Sequence, residues 1–297
     1  MKNYLLLITA LFFGSFCAAQ GSDEAIQAKL LNGELTESSK INSDKKYYES
    51  FPVQMNVGDM LLIVCTSTDF VVGVGISDAN GFLNRKEDDP KFFKTIGSKV
   101  TVPFKCKNSG TYNIVLSSKD AGAKGHFQAK LFYYNSTANK VNSNSSFCDK
   151  VKFIIANSPS GFEFLKSSDK PGIMGSFYDP NFYLFPGAYT KINTSSGCQY
   201  NCTVESSTDL ESLKRKYDDL LSNLNTCLTG HSKKGYTPET VYDFEKKDFI
   251  RKAEFSLPGT NPVDVNSNHS LASVVDKIIL RLDKDGADKY KLRIEVD

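Results

Sequence analysis

The chain has no tryptophan, four methionines and three histidines in 297 residues. It also lacks an excess of either charge: Lys and Arg total 36 against 34 Asp and Glu, a formal net charge of +2. That balance gives no basic footprint for nucleic acid. Beyond the first twenty residues no apolar run approaches the ~20 residues that a membrane-spanning helix requires. Catalytic signatures are missing as well, since there is no Gly-x-Ser-x-Gly elbow, His-Glu-x-x-His pair or phosphate-binding loop. His126 precedes a strand-like segment, and His231 and His269 lie in polar loops, none within a motif. No motif asks for a cofactor. What is present is 40% hydrophobic residues with 24% charged, too apolar for a disordered chain. The length fits one or two domains of ~100–200 residues each.

The one long apolar run lies at the start. Lys2 is a short positive region, and Tyr4 to Phe13 (YLLLITALFF) has the length of a secretory h-region, too short for a permanent anchor. Cys17-Ala18-Ala19 offers small residues at the −3 and −1 positions, which places cleavage after Ala19. A lipoprotein signal also ends at a cysteine, but there the preceding residues are small, whereas here Phe16 precedes Cys17. The expected product is a secreted protein, extracellular or periplasmic.

Removing Cys17 leaves Cys65, Cys106, Cys148, Cys198, Cys202 and Cys227. An even number in an exported chain reads as disulfides. Cys65 with Cys106 is the natural pair for the first half, and the other four would pair among themselves. Cys198-x-x-x-Cys202 also has a metal-like spacing, although neither a His nor a second tight Cys pair stands nearby to complete a tetrahedral site.

From Leu30 to Tyr134 the pattern is strand after strand. Tyr48, Phe51, Val53 and Met55 recur with near period-two spacing. Met60 to Thr66 (MLLIVCT) is a continuous apolar run suited to a strand buried on both faces. A Gly58-Asp59 turn precedes it. Phe70 to Ile76 forms another strand, closed by an Asn80-Gly81 hairpin signal. Val100 to Phe104, Tyr112 to Leu116 and Phe127 to Tyr133 complete about six to eight strands. The expectation is an all-β sandwich, jelly-roll-like, over residues 28–136.

The succession NGEL (32–35), YYESFPV (47–53), VGDMLLI (57–63), GISDANG (75–81), SGTYNIVL (109–116) and GHFQAKLFYY (125–134) resembles the bacterial pre-peptidase C-terminal β-sandwich family. The resemblance implies an accessory module of a secreted protein, serving ligand contact, secretion or solubility. It brings no catalytic residues. Some relatives hold calcium in acidic loops; here Glu87-Asp88-Asp89 lacks ligand spacing and reads as a solvated loop.

Residues 137–146 form a polar linker, the core of the stretch NSTANKVNSNSS. Residues 147–297 then change period. Phe147, Val151, Ile154 and Ile155 recur at helical spacing until Ser158-Pro159-Ser160-Gly161 breaks them. Thr208 and Glu211 predict a capping box. It opens a helix whose apolar stripe runs through Leu210, Leu213, Tyr217, Leu220, Leu224 and Leu228 to a stop at Gly230. Strands are expected over 200–204, 240–246, 250–257, 277–283 and 290–296. Asp283, Asp285 and Asp288 lack the calcium-loop pattern and read as a hairpin turn. The expected second fold is an α+β domain with an antiparallel sheet.

Five Asn-x-Ser/Thr sequons, at Asn135, Asn144, Asn193, Asn201 and Asn268, matter only in a glycosylating host. The aromatic cluster Phe177, Tyr178, Phe182, Tyr183, Phe185 and Tyr189 is rich enough to line a ligand groove, against the plainer alternative of core packing. These observations point to a secreted, non-catalytic binding protein whose partner is an unknown protein or glycan, with no nucleic acid and no membrane span. The alternatives are a secreted hydrolase with a carboxylate pair in the second domain, and an inhibitor or secretion chaperone.

Overall fold

The computed structural model describes residues 25–82, 94–96, 99–167, 176–194, 197–228, 232–236, 249–256, 277–286 and 288–297. The chain divides into two compact units, Met1–Lys140 and Val141–Asp297. Among the described residues, no helix is long and apolar enough to cross a membrane.

The first unit is built of β1 (Ile26–Leu35), β2 (Lys40–Ile41), β3 (Tyr47–Met55), β4 (Met60–Thr66) and β5 (Val72–Asp78). It continues with β6 (Gly81–Phe82), β7 (Lys94–Ile96), β8 (Lys99–Lys105), β9 (Gly110–Ser118) and β10 (Gly125–Tyr134). They form two antiparallel sheets, β1-β10-β4-β8-β7 and β2-β3-β9-β5-β6. Alternate residues of each strand turn inward, as period-two patterning requires. In β9 the buried set is Tyr112, Ile114, Leu116 and Ser118. With Met55, Leu61, Ile63, Ile76 and Leu131 they build the core between the sheets of a β-sandwich.

Strand β4 departs in part from the expectation of burial on both faces. Leu61, Ile63 and Cys65 point into the core, and Leu62 is the one further buried side chain. Its cross-strand partner Phe132 covers it. The turn ahead of β4 explains the Gly-Asp pair. Asp59 N–H donates to the Asn56 carbonyl at 3.0 Å, and Gly58 takes φ +89° at the third turn position, where an L side chain is strained. The Asp59 carboxyl group is fully buried. It accepts from Asn56 N–H (2.7 Å), Tyr133 hydroxyl (2.5 Å), Ser136 N–H (2.8 Å) and Ser136 hydroxyl (2.9 Å). A four-fold acceptor thus ties the entry of β4 to the exit of β10.

Two local expectations change. The β5–β6 hairpin pairs Asp78 with Gly81, so its loop is Ala79-Asn80, with Asn80 N–H donating to the Asp78 carboxylate. Gly81, at φ +119°, starts the return strand instead of sitting in the turn. The Cys65–Cys106 bridge does not form, and both are buried thiols. The β4–β8 register sets Cys65 opposite Val100 and Met60 opposite Lys105. The two cysteines therefore lie at opposite ends of the ladder, ~20 Å apart at ~3.3 Å per residue, far beyond the ~7 Å that a disulfide tolerates.

In the second unit α1 (Phe147–Asn157) starts at Ser146, whose hydroxyl accepts from Asp149 N–H. Strands β11 (Phe177–Tyr178), β12 (Tyr189–Asn193) and β13 (Gln199–Ser207) follow, then α2 (Leu210–Cys227). Strands β14 (Ser232–Tyr236), β15 (Phe249–Ser256), β16 (Lys277–Lys284) and β17 (Tyr290–Val296) complete the chain. All seven strands join one antiparallel sheet, β11-β12-β13-β17-β16-β15-β14. The strand expected over 240–246 and the stop at Gly230 lie outside the described residues.

Helix α2 begins one residue later than its capping box predicts. Asp209, not Thr208, is the N-cap, and its carboxylate accepts from Ser212 N–H at 2.9 Å. A carboxylate there satisfies a free N–H and also faces the positive end of the helix. Glu211 instead pairs with Lys214 at 2.7 Å. Leu213, Tyr217, Leu220, Leu224 and Cys227 are the buried stripe, set against β13, β16 and β17. Cys148 bonds Cys227, joining α1 to the end of α2. Cys202 remains a buried thiol and Cys198 is exposed. Four residues of nearly extended chain hold those two ~13 Å apart.

The sheet has one apolar and one polar face. Ile278, Leu280, Leu282, Leu292, Ile294 and Val296 are buried on the apolar face. Across the polar face the register aligns Tyr189, Thr203, Arg293, Arg281 and Lys252. Arg281 and Arg293 would repel side by side. Asp283 and Glu295 neutralise them: Arg281 lies 3.1 Å from Asp283 and 3.0 Å from Glu295, and Arg293 donates to Asp283. Asp285 pairs with Lys291 at 3.0 Å, so Asp283 and Asp285 of this hairpin serve ion pairs. The Glu87–Asp89 loop lies outside the described residues.

Candidate functional site: an aromatic groove in the second unit

Strand β11 pairs with β12 for only two residues, Phe177 with Asn193 and Tyr178 with Ile192. The chain then peels away. Pro180 bridges Lys166, Asn181 N–H donates to the Leu165 carbonyl, and Ser167 N–H donates to the Asp179 carbonyl. The parting leaves an open groove of about 660 Å³ between Asp179–Asn181 on one side and Tyr189–Lys191 on the other, within the ~300–1,000 Å³ of ordinary small-ligand sites. Ser143, Phe182, Tyr183 and the Pro186-Gly187-Ala188 turn complete its lining.

The loop between the walls is held in place by its own sequence. Ala188 N–H donates to the Phe185 carbonyl, with Pro186 and Gly187 at the centre and Gly187 at φ +76°. Proline fixes the first central position and glycine relieves the second, the chemistry of a type II turn. Phe182 packs edge-on against Phe153 of α1 at 5.0 Å, and Phe185 lies 5.7 Å from Phe147. Leu184 is buried, and its N–H donates to the Tyr200 hydroxyl, which in turn donates to the Phe182 carbonyl. The Tyr200 ring is fully buried, and burial raises its hydroxyl above the usual tyrosine range. It therefore stays a neutral donor and acceptor. Below the same wall, burial pushes the Cys202 thiol up to about 11, with Thr190 and Phe185 as its hydrogen-bond neighbours.

Of the six aromatic residues singled out in the sequence, three line the groove and three do not. Tyr189 is 69% exposed and Tyr183 43% exposed, and Phe182 forms part of the floor. Tyr178 is buried beneath the Lys166 ammonium, 4.6 Å from its ring centroid, and Phe177 and Phe185 are half-buried. The polar members were not singled out. Lys191 lies 2.5 Å from Asp179 across the groove and 5.6 Å from the centre of the Tyr189 ring. The Asp179 carboxylate holds the Lys191 ammonium above its usual range. Asn181 donates its amide to the Phe164 and Lys166 carbonyls, at 3.1 and 3.3 Å, bracing its wall. Only their alternation on β12 with Tyr189 could have marked Lys191 in advance.

Of the six cysteines, two make the helix–helix bridge and none lines the groove. Among the described residues no group of three or more His, Cys, Asp or Glu is arranged to hold a metal.

No family model matches the sequence, and no curated protein matches it. Among solved structures the chain is similar to the pre-peptidase C-terminal domain of a collagenase from Bacillus anthracis. Identity is 13%, coverage is 35% of this chain and 87% of that domain, and the TM-score is 0.25. The strand pairing itself defines the sandwich.

Proposed function

We propose that the protein is an exported, non-catalytic binding protein of the cell envelope or extracellular space. Its sandwich of residues 28–136 is the accessory module, and its α+β domain of residues 147–297 carries most of the ligand groove, to which Ser143 of the intervening residues 137–146 adds. The observation that carries this reading is the pair of exposed rings, Tyr183 and Tyr189, both lining a braced groove. Large exposed aromatics set in a concave, rigid frame are a recurrent means of recognition. The export pattern ending at Ala19 supports the location, and so does the Cys148–Cys227 disulfide, which persists in oxidising compartments.

The hydrolase reading needs two carboxyl groups facing a cleft. The acidic side chains that meet in this unit, Asp283 and Glu295, are each held by arginine. Among the described residues the groove carries one carboxylate, Asp179, committed to Lys191. These commitments favour binding over acid–base chemistry.

The test uses the immobilised full chain and a Tyr183→Ala/Tyr189→Ala variant, challenged with envelope and culture-medium extracts. Protein and sugar in the bound fraction are then analysed by mass spectrometry. Saturable capture by the native chain that the double variant loses is the expected result. Equal capture by both, or none by either, overturns the assignment of the groove. Turnover of a polymer that disappears in Asp283→Asn would establish the hydrolase instead.

A further inference from the structure

We propose that the ligand of the Tyr183–Tyr189 groove is an uncharged glycan, a step that rests on the binding reading above. The two tyrosines are electron-rich rings exposed to solvent, Tyr183 by 43% and Tyr189 by 69%, the latter sharing one face with the Lys191 ammonium 5.6 Å away. The C–H face of a pyranose is the complementary surface, apolar and weakly positive, so sugar rings stack on such aromatics while their hydroxyls point sideways. Asp179 and Lys191 stand where those hydroxyls would reach. The carboxylate offers only acceptors and the ammonium only donors, and side by side at 2.5 Å they match neighbouring hydroxyls that each donate and accept.

Charge separates this ligand from its competitors. The cation and anion of the groove compensate one another, so nothing there attracts an acidic polysaccharide or a phosphorylated ligand. The adjoining polar face is compensated too, with Arg281 and Arg293 paired to Asp283 and Glu295. An extended peptide is disfavoured by geometry. Peptides that add to a sheet need an open strand edge, and ordinary strands run to about five or six residues. On β12, β11 already occupies Ile192 and Asn193. That leaves only Tyr189, Thr190 and Lys191 along that edge, fewer than a strand pairing of ordinary length uses. Rigidity favours a glycan as well, because the Tyr200 hydroxyl and the Pro186-Gly187 turn fix the loop that carries Tyr183 before any ligand arrives.

The full chain would be screened on an array of neutral plant, fungal, animal and bacterial oligosaccharides, with hyaluronan and heparin as polyanions and an unstructured peptide library as the protein probe. Binding to one or more neutral glycans, insensitive to added salt, is the expected result. Titration calorimetry should show affinity falling at least tenfold in Tyr189→Ala and in Tyr183→Ala, and largely retained in Tyr189→Phe, all with unchanged circular dichroism. Tyr200→Phe, which frees the loop without touching the ligand, should weaken affinity and increase hydrogen exchange at Leu184. An array with no neutral glycan bound overturns the proposal. So does salt-sensitive binding confined to the polyanions, or peptide capture that depends on the tyrosines. In that last case the groove is still a binding site and only the ligand class is wrong. If neither tyrosine affects capture of anything, both readings fail.

Discussion

Removing the Cys148–Cys227 bridge is the most direct perturbation of the second unit. The bond closes a loop with a sequence separation of 79 residues and fastens α1 to the last turn of α2. Chain-entropy reasoning puts the loss at about 4.5 kcal/mol for a loop of that length, and measured values for native bridges cluster nearer ~2–4 kcal/mol. For a domain of this size that lowers the melting temperature by roughly 5–15 °C. The assay is scanning calorimetry of the native chain and of Cys148→Ala/Cys227→Ala, each with and without reductant. The native chain should lose stability on reduction, whereas the double variant should start low and ignore the reductant. The bridge-free sandwich should melt unchanged in all four samples. A double variant as stable as the native chain, or a sandwich transition that moves with reductant, would refute the reasoning.

Two further perturbations test the buried polar groups. Asp59→Ala strips the acceptor from three residues at once, Asn56, Tyr133 and Ser136. It should cost the sandwich about 3–5 kcal/mol, read by urea unfolding; a loss below about 1 kcal/mol would show that water replaces the carboxyl group. Burial raises the Glu295 carboxyl pKa above its usual 4.5 despite Arg281 and Arg293. The folded state therefore holds that proton longer than the unfolded chain. The resulting contribution to stability is fully present below 4.5 and is lost as pH rises through the raised value. Stability of the native chain relative to Glu295→Gln should accordingly decline as pH climbs above 4.5, and a difference that grows with pH would contradict the sign.

Strand periodicity made most of the fold legible. In β9 and β5 the alternation in sequence is the alternation in burial, because each strand faces the core once. Where it misled, a local competitor decided the outcome. Asp209 outbid Thr208 for the helix cap because a carboxylate is the stronger acceptor at a positive helix end. Pairing within the second half was legible in part, as Cys148 with Cys227; a Cys65–Cys106 pair was misread, because pairing depends on register, and register sets Cys65 opposite Val100. Half of the aromatic cluster, Phe182, Tyr183 and Tyr189, lines the groove. What decides between core and groove is the departure of β11 from β12 after two residues, a non-local event set by the pairing of Pro180 with Lys166. The Asp179–Lys191 pair was invisible for the same reason, since it spans that parting.

The three enclosed thiols have a consequence for how the chain matures. In the unfolded chain Cys65 and Cys202 ionise near the ordinary ~8.5 and, with Cys106, compete with Cys148 and Cys227 for every oxidant. A bridge between Cys65 and Cys106 would pull together opposite ends of the β4–β8 ladder and forbid that sheet. Packing ends the competition, because burial lifts Cys65 to about 12 and Cys202 to about 11. For Cys65 that reduces the reactive thiolate on the order of a thousandfold. Sheet closure therefore acts as a proofreading step for oxidation. In an oxidising compartment the sandwich would have to close before its cysteines are oxidised, with thiol–disulfide exchange returning any chain that closes later.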